Sequence, residues 1–296
     1  MAETRFGRKT FLAGLLLPLL PGFSAVMPQR IIPSSGEKIP AVGLGTWQTF
    51  DTSSETEIKN LDLLVREFVR LGGSLIDSSP MYGNAESVVG TITSAIDARF
   101  FLATKVWTSG EQQGQKQIRQ SMRKMQTEKL DLLQIHNLSD WKTQLRTLNK
   151  LKASGKIRYS GITHYTTSAF AEMEKIMKTE TLDFIQIPYS IVTPGAEKRI
   201  LPLALDKNIA VLVNRPFEGG DLFREIKNKP VPEFARAYGS WAQIFLKYIL
   251  SHPAVTCVIP ATTKISHLQQ NMQSAQEQHL DAATKQKLLS YFTGKS

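Results

Sequence analysis

Gly72-Gly73-Ser74-Leu75-Ile76-Asp77-Ser78-Ser79-Pro80-Met81-Tyr82-Gly83-Asn84 decides how this chain is read. A short apolar run ends in a carboxylate, and a Ser-Ser-Pro turn then returns a tyrosine to within a few residues of it. An acid and a phenol are thereby held at the mouth of one strand.

An unperturbed phenol titrates near ~10. A tyrosine that gives up a proton at neutral pH therefore needs a cation beside it, to stabilise the phenolate and draw its pKa down. Phe101-Leu102-Ala103-Thr104-Lys105-Val106 supplies a lysine near the end of a second apolar run, and Leu132-Leu133-Gln134-Ile135-His136-Asn137 a histidine at the end of a third. Asp77, Tyr82, Lys105 and His136 read as a proton-transfer set. Tyr82 is the acid, Lys105 its activator, Asp77 the counter-ion of Lys105, and His136 the orienter of a substrate oxygen.

Working outward, strand and helix patterns alternate to the end of the chain. Candidate strands are 41–46, 74–76, 101–105, 132–136, 158–162, 184–187, 210–214 and 256–259. Amphipathic stretches at helical spacing lie between and after them, at 55–71, 85–96, 113–126, 138–154, 167–178, 198–206, 234–251 and 265–276. Strand ends recur roughly every 25 to 31 residues, except across the last interval, which holds an inserted loop at 218–231. Eight such units with no break in composition predict an α/β fold, a closed (β/α)8 TIM barrel rather than an open doubly wound sheet. The turn-rich segment 33–37, flanked by short apolar runs, predicts an N-terminal hairpin that plugs one end.

In such a barrel the side chains at the carboxyl ends of the strands share one mouth. Singly, Asp77 reads equally well as a turn or cap residue, and His136 as a hydrogen-bonded framework residue. Lys105 is harder to place that way, because an apolar strand ending on a charge would bury it without a partner. The matching ends favour a catalytic set. Trp47 and Trp107 lie just after strand ends, and Phe217 beside Gly219 and Gly220; each reads as rim or loop packing, or as an aromatic wall for an apolar substrate.

At 296 residues and 42% hydrophobic, the chain can bury a full core. The single cysteine, Cys257, excludes an internal disulfide and reads as a core thiol. With five scattered histidines, no zinc or iron site is expected. The net charge of +10 comes with no aromatic-interleaved basic stretch, so an anionic small molecule is a simpler partner than nucleic acid.

Residues 1–27 read as an export signal and 28–296 as the barrel domain. Arg5, Arg8 and Lys9 precede an apolar run from Phe11 to Leu20, and Gly22, Ser24 and Ala25 follow. The run, broken by Pro18, is too short to span a bilayer. Gly7-Arg8-Lys9-Thr10-Phe11-Leu12 resembles a twin-arginine signal, with Lys9 in place of the second arginine. The expectation is handling by an export machinery and a periplasmic or exported location, the alternative being a cytoplasmic extension.

The barrel resembles the aldo-keto reductase superfamily. The resemblance rests on Gly43-Leu44-Gly45-Thr46-Trp47, Ile76 to Gly83, Thr104-Lys105-Val106-Trp107 and Ile135-His136-Asn137, in order and in spacing. It implies carbonyl reduction by hydride transfer from a nicotinamide cofactor, without metal, with Tyr82 protonating the oxygen. It places Thr46, Thr163, His164, Gln186, Asn214 and Pro216 along the cofactor, and Thr262, Lys264, His267 and Asn271 at its adenosine end. Asn214 stands where many relatives carry a stacking tyrosine. Ala261, His267 and Gln270 replace a common lysine, arginine and glutamate. Lys264 supplies a charge for a 2'-phosphate, which favours NADPH, with NADH the alternative. A redox sensor with little turnover and Schiff-base chemistry at Lys105 are the competing readings. Tyr189 has no role in any of them.

Overall fold

In the computed structural model, which describes residues 27–276 and 279–293, eight parallel strands form the barrel. They are β3 (Leu44–Gly45), β4 (Leu75–Asp77), β5 (Phe101–Val106), β6 (Leu130–His136), β7 (Ile157–Thr163), β8 (Phe184–Pro188), β9 (Ala210–Asn214) and β10 (Val255–Val258), each paired in parallel with the next. Preceding them, β1 (Gln29–Ile31) and β2 (Lys38–Pro40) make the expected antiparallel hairpin. The expected export signal lies outside the described residues apart from Met27. That residue is buried in the core, against the turn at Gly72.

The seam between first and last strands closes through bridges Val42–Val258 and Gly45–Ala261. The Gly43 N–H donates to the Val258 carbonyl at 2.8 Å and the Gly45 N–H to that of Pro260 at 3.0 Å. A Cβ on Gly45 would stand 2.7 Å from the Ile259 carbonyl oxygen, so this close approach requires glycine. The strand expected over 41–46 is accordingly reduced to two residues and flanking bridges.

Ten helices are described: α1 (Glu55–Arg70), α2 (Ala85–Ser94), α3 (Glu111–Lys124), α4 (Trp141–Ala153), α5 (Phe170–Thr179), α6 (Ile200–Asp206), α7 (Asp221–Glu225), α8 (Trp241–Leu250), α9 (Ile265–Gln276) and α10 (Ala282–Thr293). Two were not expected. The short α7 forms inside the inserted loop, and α10 follows the last strand–helix unit. The helix expected from 234 starts at Trp241, because Ser240 and Gln243 form a reciprocal capping box there. Glu233–Tyr238 is a 3-10 helix instead.

Alternation along each strand sorts the core into two. Val106, Leu133, Ile135, Ile185 and Val211 face the helices, within the larger cluster. Leu75, Phe101, Ala103, Leu132, Tyr159, Phe184, Ala210, Leu212 and Cys257 form the inner cluster, joined by hairpin-flanking Ile32 and Ile39. Asp77, Lys105, Gln134, His136, Thr163, Gln186 and Asn214 have the same parity as those inner residues, one or two steps nearer the carboxyl ends. The period of two therefore lifts the polar side chains directly above an apolar plug.

Candidate active site

Asp77 ends β4 and Lys105 stands one residue before the end of neighbouring β5, and the Lys105 ammonium donates to Asp77 Oδ2 at 2.5 Å and to the Ser78 carbonyl at 2.7 Å. Both side chains are buried, Lys105 completely. An isolated buried charge is strongly disfavoured, and the pair removes that cost by hydrogen bonding. Burial pulls the Lys105 pKa down, but the charge of Asp77 and the neighbouring Tyr82 phenol more than offset it, and the net shift is upward. Lys105 is therefore a fixed cation.

The other carboxylate oxygen, Asp77 Oδ1, accepts from Gln134 Nε2 and from Gln186 Nε2, each at 3.1 Å. Gln186 Oε1 in turn accepts from the Thr163 hydroxyl at 3.2 Å. Asn214 Nδ2 donates to the His164 carbonyl at 3.2 Å. With Asn214 Nδ2 also 3.4 Å from Gln186 Oε1, side chains from six strands, β4 to β9, are drawn into one network around Asp77. Gln134 was not singled out in the sequence, although its place two residues before His136 puts it on the same strand face.

Tyr82 follows in the loop after β4, partly buried, its ring centroid 5.3 Å from the Lys105 nitrogen. Gly83 holds the loop with φ +58°, and the Asn84 N–H donates to Asp51 Oδ1 at 2.9 Å. The structure corrects one expectation here. Burial raises the Tyr82 pKa above its ordinary value; Lys105 lowers it, but does not overcome burial reinforced by the negative charge of Asp77. At rest Tyr82 is a neutral phenol, and the cation limits the cost of ionising it.

His136 meets the Tyr82 ring edge to face, with centroids 6.0 Å apart. Its Nδ1 pairs with Ser79 Oγ at 3.1 Å. Burial holds its pKa down to about 3, with Lys105 and His164 adding to the shift, so the imidazole is neutral at physiological pH. Phenol, ammonium and neutral imidazole are therefore gathered at the mouth. Together they can donate a proton and a hydrogen bond to one small oxygen-bearing molecule.

The remaining residues lie as follows. The buried Thr46 hydroxyl donates to the Asp77 carbonyl at 3.1 Å and pairs with the Ser78 hydroxyl at 3.0 Å, which ties the first strand to the Asp77 turn. His164 Nδ1 accepts the Thr166 N–H at 3.1 Å. Pro216, Thr262 and Asn271 are buried, while Lys264 and His267 are exposed around the start of α9. Trp47 and Trp107 stand 43% and 44% exposed just past their strands, leaving an apolar rim uncovered. Phe217 packs on Phe223, with centroids 4.9 Å apart, and on Phe245 at 6.5 Å. Tyr189, with no role in the sequence reading, donates to Glu197 at 2.5 Å in a buried framework cluster.

The arrangement also bears on a nicotinamide dinucleotide. Asn214 Oδ1 is a buried acceptor with no partner beside Gln186, and Lys264 has no ionic partner among the described residues. An unfilled amide acceptor by the polar network around Asp77 and a cation without an ionic partner among the described residues fit a carboxamide at one end and a phosphate at the other.

A parallel barrel carrying this polar cluster at the carboxyl ends of its strands has the architecture of a barrel enzyme. Residues 41–288 match the Aldo/keto reductase family, and the chain belongs to it as an NAD(P)H-dependent oxidoreductase. The methylglyoxal reductase YeaE of Escherichia coli (strain K12) is 32% identical, over 83% of this chain and 89% of that protein. An NADH-specific methylglyoxal reductase of Escherichia coli (strain K12) is 27% identical, over 68% of this chain and 71% of that one. A Klebsiella pneumoniae aldo/keto reductase, solved in complex with NADP and acetate, superposes with a TM-score of 0.77 at 25% identity, covering 89% and 94% of the two chains.

Proposed function

We propose that the protein reduces a small aldehyde or ketone to the alcohol, using NADPH in preference to NADH. The bound nicotinamide would supply hydride to the carbonyl carbon. Tyr82 gives its phenolic proton to the oxygen as negative charge grows there, so that one hydride and one proton complete the alcohol. Lys105 stabilises the phenolate left behind, and Asp77 fixes Lys105 in place. Neutral His136 holds the substrate oxygen by a hydrogen bond without competing for its proton. Gln186 and Asn214 would hold the carboxamide, and Lys264 a 2'-phosphate. Trp47 and Trp107 shield the reacting carbon from water.

The observation that carries this reading is the buried Lys105–Asp77 pair beside the Tyr82 ring. Since both relatives named above are methylglyoxal reductases, a 2-oxoaldehyde is the first substrate to assay. The test is NADPH oxidation by the purified full chain with methylglyoxal and an aldehyde panel, beside a fluorescence titration of NADPH and NADH. Turnover supports the reading; tight NADPH binding with no turnover of any carbonyl replaces it with a redox sensor.

A further inference from the structure

Ser79 lies two residues past the end of β4 and is fully buried. Its carbonyl accepts the Tyr82 N–H at 3.0 Å, closing a turn with Pro80 in second position. Its hydroxyl has two polar neighbours, the Met81 N–H at 3.3 Å and His136 Nδ1 at 3.1 Å. A backbone N–H can only donate, so Oγ accepts from Met81. The hydroxyl's own hydrogen then has one acceptor, His136 Nδ1. An imidazole with its hydrogen on Nδ1 would leave that buried hydroxyl hydrogen unpartnered, which folded proteins avoid. The neutral ring accordingly carries its hydrogen on Nε2.

We propose that Ser79 is a positioning residue that locks His136 as its Nε2–H tautomer, so that the imidazole offers the substrate oxygen a donor and never a competing lone pair. This rests on the reading of His136 as the group that orients that oxygen. Burial beside Lys105 keeps the ring neutral, so the place of its single hydrogen is what remains to be set. Ser79 sets it from behind, without touching substrate. One residue thereby couples the two groups around the reacting oxygen: its backbone fixes Tyr82 and its side chain fixes His136.

The test is the nitrogen NMR spectrum of the full chain without cofactor, with His136 assigned by the signals lost in His136→Gln. A bare Nδ1 and a protonated Nε2 at neutral pH are expected. Ser79→Ala should populate both tautomers and lower kcat/KM for an aldehyde about tenfold, the loss of one hydrogen bond, while NADPH affinity holds. A protonated Nδ1 in the native chain overturns the proposal, and so does a Ser79→Ala spectrum identical to the native one. If Ser79→Ala does not fold, Ser79→Cys, whose thiol is the weaker donor, carries the same comparison. The spectrum needs no turnover: the expected tautomer, and its mixing in the Ser79 variant, in a chain that reduces no carbonyl uphold the role of Ser79 and remove the reductase reading.

Discussion

Lys105 Nζ and Asp77 Oδ2 stand 2.5 Å apart with neither side chain open to solvent, so the two buried charges compensate each other. Lys105→Met leaves Asp77 uncompensated, and stability should fall by about 3–5 kcal/mol. It also removes the charge and the hydrogen bond by which Lys105 lowers the Tyr82 pKa, so residual activity should be weak as well. Urea unfolding of the two proteins side by side checks the first point; equal midpoints would refute the buried pair.

Tyr82→Phe removes the proposed proton donor and keeps the ring. The rate should fall by ~100- to 10,000-fold, the usual contribution of a general acid, with NADPH titration unchanged. Because burial raises the Tyr82 pKa, the phenol stays protonated through neutral pH and the wild-type rate should show no Tyr82 titration there. Undiminished turnover by the variant would dispose of Tyr82 as the acid.

His136 gives a stability prediction whose sign follows from its pKa, which is about 3 in the folded chain and ~6.5 unfolded. Between those values the unfolded chain binds the proton first, so the neutral imidazole's contribution is lost as pH falls through that window, at roughly 1.4 kcal/mol per unit. Urea midpoints should therefore drop more steeply from pH ~6.5 downward in the native protein than in His136→Gln. Parallel curves would mean that the imidazole is not held neutral by burial.

Lys264 is exposed, and an exposed charge contributes little, so Lys264→Ala should weaken NADPH about two- to fivefold. NADH, lacking the 2'-phosphate, should bind unchanged. An equal loss for both cofactors places Lys264 elsewhere than at that phosphate.

Gly83 tests how the phenol is aimed. A Cβ there would fall 2.1 Å from Asp51 Oδ1, and the backbone has φ +58°. Gly83→Ala should displace the Tyr82 loop, destabilising by more than ~1 kcal/mol and lowering kcat. Native kcat in a correctly folded variant would show that the loop does not set the position of Tyr82.

Much of this was legible because charge at the end of an apolar strand has few structural explanations. Asp77, Lys105 and His136 could be placed at one barrel mouth from the repeat of strand ends alone. Gln134 was equally accessible through its two-residue spacing from His136 but carries no charge to draw notice. The direction of the Tyr82 pKa was not legible, because it depends on the balance between burial and a cation, and sequence shows only that the cation exists. Ser79 was invisible as anything but a turn residue, since its partner His136 comes from another strand. The helices α7 and α10 were missed because α7 is a single short turn and α10 follows the last repeat, where the alternation gave no cue.

The seam where Val42 meets Val258 joins the first and last strand segments of the barrel. While the polypeptide is being synthesised, the edge of the first strand has no neighbour until nearly the last segment has emerged. Unpaired edges invite association with other chains. A truncation before Val255 would therefore yield an aggregating polypeptide rather than a smaller working barrel, and a nascent chain must be guarded until its final strand arrives.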